Sequence, residues 1–206
     1  MAARDIRALP KLEGTVHVNL ALILKFMPNY FFFPAEYSEI PLCDFARNDD
    51  FLFNQGPARG LGKIQFHDYN LAYNAYDVPN LALFREQIAV FKDFLAMATP
   101  DEAQQKDTDF LLALGELFAL VLYGQLILEN VKHYGVDNDT LDQILDCLVR
   151  DLSKFALQLY SKPSSTPAQM DFCLKMIRKP IVDSARYDRV WRNSVDALKG
   201  AYEMNP

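Results

Sequence analysis

Cysteine is scarce in this 206-residue chain, and the few cysteines it has do not suggest pairing. Cys43, Cys147 and Cys173 are odd in number, far apart and without Cys-x-x-Cys spacing, so neither a disulfide framework nor a zinc site is signalled. A reducing cytoplasm is the expected home. The three histidines, His17, His67 and His133, share no metal-ligand spacing, and no metal is expected. Basic residues are outnumbered, 21 Lys and Arg against 27 Asp and Glu, which leaves a net charge of −6 and a pI near 5.1. With those cations scattered, nucleic acid is excluded as an expected partner, because its phosphates select basic faces. There is no Gly-x-Gly-x-x-Gly fingerprint, Walker sequence, internal repeat or low-complexity tract. The amino terminus lacks the pattern of a secretory leader, so none is expected.

What is present is apolar and helical in period. Half of the residues are hydrophobic, enough for a sizeable core. Val16 to Phe33 reads as a helix that Pro28 kinks or ends. Pro34 to about Val78 carries Pro41, Asp49-Asp50, Gly56-Pro57, Gly60 and Gly62, and reads as an irregular linker with an extended piece at Lys63 to Tyr69. Beyond it, Leu81, Phe84, Ile88, Phe91 and Leu95 recur at three- and four-residue spacing, one face of an amphipathic helix. A second helix is expected from Pro100-Asp101 to Gly135, and a third follows Asp137 with Leu141, Ile144, Leu145, Leu148, Leu152, Phe155 and Leu159 buried. Ser165-Thr166-Pro167 opens a fourth that Pro180 must end. The last is expected from Asp183 to Lys199 with Tyr187, Val190, Trp191, Val195 and Leu198 as its apolar set. The expectation is an all-α antiparallel helical bundle with an irregular linker after the first helix, in three parts: 1–33, 34–78 and 79–206.

Several features carry a bland reading that outweighs the sharp one. Gly56 to Lys63 has the glycines and cations of a phosphate cradle, but a lone glycine-rich stretch is weak evidence and a plain turn is favoured. Ser164, Ser165 and Thr166 are explained by a helix cap without a partnered base. Phe110 to Leu128 approaches the length of a membrane span, yet Glu116 and Gln125 interrupt it, which favours a buried bundle helix. The run Tyr30-Phe31-Phe32-Phe33 suits core or subunit packing better than a lipid headgroup boundary.

One stretch suggests chemistry. Arg4-Asp5 is followed, after seven residues, by Glu13-Gly14-Thr15, a carboxylate set directly before a glycine that lets the backbone turn sharply or approach a ligand. From the tripeptide alone, a solvated acid in a turn is favoured. The longer register resembles the acyl-CoA dehydrogenase family near its carboxy terminus, where Arg-Asp precedes Glu-Gly-Thr and a final helix. Ala58 to Lys63, Tyr123 to Glu129 and Ser164 to Gln169 are similar to the helical extension of some longer bacterial members.

The resemblance implies a flavoenzyme reaction of fatty-acid β-oxidation. Glu13 takes the α-proton of an acyl-CoA thioester while a hydride leaves the β-carbon for FAD. It implies that Gly14 and Leu12 line the substrate, and that Thr15 and Asn19 lie toward the cofactor. Leu12 stands where many members have tyrosine, and the polar positions after the Thr become Val16, His17, Val18 and Asn19. In the family the thioester oxygen is held by the backbone N–H of the Glu and a flavin ribityl hydroxyl, an oxyanion-type arrangement. The domains that bind most of the flavin precede this motif in the family. The chain is therefore expected to be a carboxy-terminal piece, inactive in isolation, working beside a chain or domain that supplies the flavin fold. An oligomer is expected, and the resemblance allows peripheral contact with the inner membrane. The competing expectation is a non-catalytic helical interaction or oligomerisation module.

Overall fold

Short polar side chains start most of the helices in the computed structural model, which describes residues 15–36 and 64–201. In chain order the α-helices are α1 (Val16–Leu24), α2 (Met27–Phe32), α3 (Asn70–Tyr73), α4 (Pro79–Met97), α5 (Thr108–Tyr134), α6 (Asn138–Tyr160), α7 (Pro167–Met176) and α8 (Ser184–Val190), with no strand among the described residues. Thr15, Asp107, Asp137, Thr166 and Asp183 cap α1, α5, α6, α7 and α8 by accepting from first-turn N–H groups. At α7 the cap is reciprocal, with Gln169 returning to the backbone of Thr166. Gly135, at φ 61°, closes α5 in the left-handed region, and the N–H of Val136 returns to the carbonyl of Val131. The three-residue turn that follows sends α6 back antiparallel to α5.

The all-α bundle is the architecture the periodicity predicts, and the five apolar residues named on α4 are all buried. Boundaries differ in four places. The single helix expected over Val16 to Phe33 is two, broken at Lys25-Phe26, because a proline at 28 clashes with the carbonyl four residues back and fits only a first turn, where α2 places it. Residues 64–68 have no regular structure, although the N–H of Ala35 donates to the carbonyl of Phe66 at 2.9 Å. The helix expected from Pro100 starts at Thr108, because Asp107 caps it there and residues 104–106 form a separate 3-10 turn. The last helix stops at Val190 and continues as a π turn and a 3-10 turn; Tyr187, Trp191, Val195 and Leu198 are exposed rather than buried. The position on α8 that faces α6 belongs instead to Arg186, 4% exposed.

Two helices organise the packing. α5 touches α1, α3 and α6, and α6 touches α4, α5, α7 and α8. Between α2, α3, α4 and α5, the rings of Tyr30, Phe31, Tyr69, Phe91 and Phe118 meet with centroids 5.2–5.7 Å apart. The hydroxyl of Tyr30 donates to Gln125 Oε1 at 2.6 Å, and that of neighbouring Tyr73 to the carbonyl of Val121 at 2.7 Å. Of the aromatic run at 30–33, two rings are therefore core, while Phe32 and Phe33 are exposed. Gly124 lets α5 approach this cluster; a Cβ there would lie 2.5 Å from Tyr73 Oη and 2.8 Å from Phe84 Cε1.

A buried charge joins α4, α6 and α8. α4 has no side-chain cap of its own, and the N–H of Asn80 in its first turn donates to Asp142 Oδ1 on α6 at 2.7 Å. The other oxygen of Asp142 pairs with Arg186 Nη1, while Asp146 Oδ2 lies 3.7 Å from Nη2. Two outcomes are expected in urea denaturation. Gly124→Ala loses roughly 1–3 kcal/mol through overpacking against two rings. Asp142→Ala loses about 3–5 kcal/mol because it strands a buried guanidinium; a loss below about 1 kcal/mol would mean that Asp146 suffices as the counter-ion.

Candidate functional site

The residue pattern that suggests chemistry meets the described structure at Thr15. Leu12, Glu13 and Gly14 lie outside the described residues, as do Arg4, Asp5, Cys43 and the glycine-rich stretch 56–63. Thr15 Oγ1 accepts from the N–H of Val18 at 3.4 Å, and the N–H of Asn19 donates to the carbonyl of Thr15 at 3.1 Å. Both side chains are exposed, one turn apart on the same face of α1. The cap uses the Thr15 oxygen as acceptor and leaves its hydroxyl proton available for donation. Two exposed polar groups one turn apart do not make a cofactor cradle.

Beside them runs an open apolar groove of about 480 Å³ between α1 and α5, with Phe155 of α6 contributing to its wall. Val16, Leu20 and Ile23 line one side, spanning roughly 10 Å along α1 at 1.5 Å per residue. Leu120, Tyr123 and Leu126 line the other. The helices come close because Gly115 has no Cβ, which would otherwise sit 3.3 Å from the Cβ of Leu20. Val16, Val18 and Leu22 remain about half exposed, as do Tyr123 and Leu126.

Glu116 is the polar residue in this lining, and sequence reasoning treated it only as an interruption of an apolar run. Its Oε2 is buried without a hydrogen-bond partner. Burial pushes the carboxyl above the ordinary glutamate range, while Lys154, Lys162, His17 and a hydrogen bond with Gln158 pull it partly back. Such a group can hold or release a proton beside an apolar ligand, which an exposed carboxylate does poorly. The available signal was the acid itself, placed mid-way along an apolar helix.

Other polar groups are committed to structure. Ser164 donates to Asp107 Oδ2 at 2.7 Å and Ser165 to the carbonyl of Leu159 at 2.6 Å, so the cap reading of this run holds for Thr166, which is in the capping box, while the two serines tie the turn to its neighbours. Burial pushes the Cys173 thiol up to about 12, far from nucleophilic use. Among the described residues, no group of three His, Cys, Asp or Glu side chains is arranged to hold a metal. α5 is long and apolar enough to cross a membrane by length and composition, with half of its most apolar stretch buried by the bundle.

The raised proton affinity of Glu116 makes a signed prediction. A carboxyl with a raised folded-state pKa supports the fold fully below its unfolded pKa, and that support is lost as pH rises through the folded value. Glu116→Gln should therefore gain more in Tm over the parent chain near pH 8 than near pH 4; an equal difference at both would deny the burial effect. Comparison with protein-family models, curated proteins and solved structures found no match.

Proposed function

We propose that this chain is the carboxy-terminal portion of a flavin-dependent acyl-CoA dehydrogenase, which removes hydrogen across the α,β-bond of an acyl-CoA thioester. The observation that carries the reading is the register of Arg4-Asp5 with Glu13-Gly14-Thr15, running directly into the Thr15-capped helix α1. Glu13 is the base: its carboxylate takes the α-proton and becomes the neutral acid. Its backbone N–H donates to the thioester oxygen as negative charge builds there. Gly14 permits close approach of the backbone, and Leu12 contacts the acyl chain. FAD, when bound, supplies the acceptor for the hydride from the β-carbon. Thr15 and Asn19 offer edge contacts to it, and the main cradle comes from another chain or domain.

The groove fits this reading, since an almost wholly apolar surface begins at Val16, one residue after the motif. The apolar face of α1 suits coverage by the flavin-bearing partner. We place the complete enzyme in the cytoplasm as an oligomer, with peripheral contact with the inner membrane as a further part of the proposal. A second reading is favoured by a separate observation, the exposed Tyr187, Trp191, Val195 and Leu198: a non-catalytic helical module that binds a partner subunit.

The deciding experiment is flavin content and acyl-CoA-dependent dye reduction by the chain alone and with a co-expressed flavin-domain partner. Turnover only with the partner is expected, and Glu13→Gln should lower kcat by about 10²–10⁴-fold with flavin content unchanged. Full turnover in Glu13→Gln would remove the base assignment. Absence of turnover in both preparations would favour the interaction module.

A further inference from the structure

The segment after α7 is held in an unusual way for a strand-like piece in an all-helical protein. Residues 177–183 have no regular secondary structure and cross the seam between α4 and α6. At its ends the N–H of Ile177 donates to the carbonyl of Leu174 and the carbonyl of Asp183 accepts from Tyr187; between them, at Arg178 and Ile181, the main-chain groups are paired with side chains of α4, α6 and α8. The N–H of Ile181 donates to Asn80 Oδ1 at 2.8 Å, and Asn80 Nδ2 donates to the carbonyl of Ile181 at 3.2 Å. The N–H of Arg178 donates to Ser153 Oγ at 2.9 Å, and that hydroxyl is also 2.9 Å from the carbonyl of Arg178. Gln87 Nε2 lies 2.8 Å from the carbonyl of Met176.

These side chains are spaced for the task. Asn80 and Gln87 are seven residues apart on one face of α4, roughly 10 Å along its axis. Asp142 and Ser153, on the facing helix, complete the row, and Asp142 anchors Arg186 beyond the segment. Reading is confined largely to the backbone, for Ile177, Ile181 and Val182 are exposed. From residue 177 to 201, only Pro180 and Arg186 are buried, so little apolar area ties this segment down.

We propose that the seam between α4 and α6 is a clamp for extended peptide main chain, occupied in cis by residues 177–183 with Arg186 of α8 anchored beyond them, and open to the same segment of a second copy. Paired amide contacts to N–H and C=O recognise an extended chain whatever its outward side chains, as sheet-edge addition does. The second copy is the natural occupant because it carries Arg186 at the spacing that reaches Asp142. The cis segment competes at a high effective concentration, so exchange requires local opening.

The test uses the full chain and a fluorescent synthetic peptide of residues 176–190. An Arg186→Ala chain keeps the clamp but loses the cis anchor, and it should bind the peptide saturably, at least about 10-fold more tightly than the parent chain does. N-methylation of the Ile181 nitrogen removes one donor and should weaken binding about 10-fold, while alanine at the peptide's exposed positions 181 and 182 should change it by less than about 3-fold. No saturable binding to a chain that circular dichroism shows to be folded overturns the proposal, and so does equal binding of the N-methylated peptide. If peptides unrelated in sequence but extended bind as well, occupancy by a second copy is overturned and a general peptide clamp replaces it. Should Arg186→Ala fail to fold, hydrogen exchange on the parent chain decides. The amides of Arg178 and Ile181 are expected to exchange at least about 10-fold faster than those of Leu145 and Val149; exchange in step with α6 overturns the idea.

Discussion

The Asp142 carboxylate does two structural tasks from one position on α6. One oxygen receives the N–H of Asn80 and so caps α4 from across the bundle; the other neutralises Arg186 and so docks α8. Both partners are nearly fully buried, which makes the arrangement all-or-none: a buried carboxylate or guanidinium without a partner costs several kcal/mol, more than most single apolar contacts return. The start of α4, the register of α6 against it and the course of the chain after α7 are thereby tied to one side chain. Arg150 supports the same site by pairing with Asp146, which stands close to the second nitrogen of Arg186.

Buried amides extend the principle through the protein. Gln104 and Gln169 bond each other and reach the carbonyls of Ser164 and Ala98, closing the loops at the other end of the bundle. Gln87 reaches the end of α7. Each such group is costly to bury unpaired, so each specifies a single arrangement where apolar packing alone would tolerate several. The apolar core supplies most of the driving force, and the polar clips choose among packings of similar burial.

The groove beside α1 follows from the opposite economy of contact. Gly115 brings α1 close at one point, and on either side the apolar residues of α1 and α5 stay partly uncovered. Glu116 sits among them with one oxygen unpaired. A surface of this kind differs from the interior around Asp142, where both carboxylate oxygens have partners although Arg186 Nε does not.

Local physics made much of this protein legible from sequence. The caps at Asp137 and Thr166, the stop at Gly135 and the apolar face of α4 depend on residues within a turn or two of one another, so the chain alone determined them. The Glu-Gly-Thr pattern was equally legible as a candidate, and Leu12, Glu13 and Gly14 lie outside the described residues. Helix periodicity failed after Asp183, where Tyr187, Trp191, Val195 and Leu198 have the spacing of a buried face without the partner to bury it. Only the tertiary structure decided that Arg186 faces α6, that Asp142 caps a helix 62 residues away, and that Glu116 is left partly unpaired. Those outcomes depend on which side chains from distant segments share a space without water, and spacing along one helix carries no information about the opposing surface.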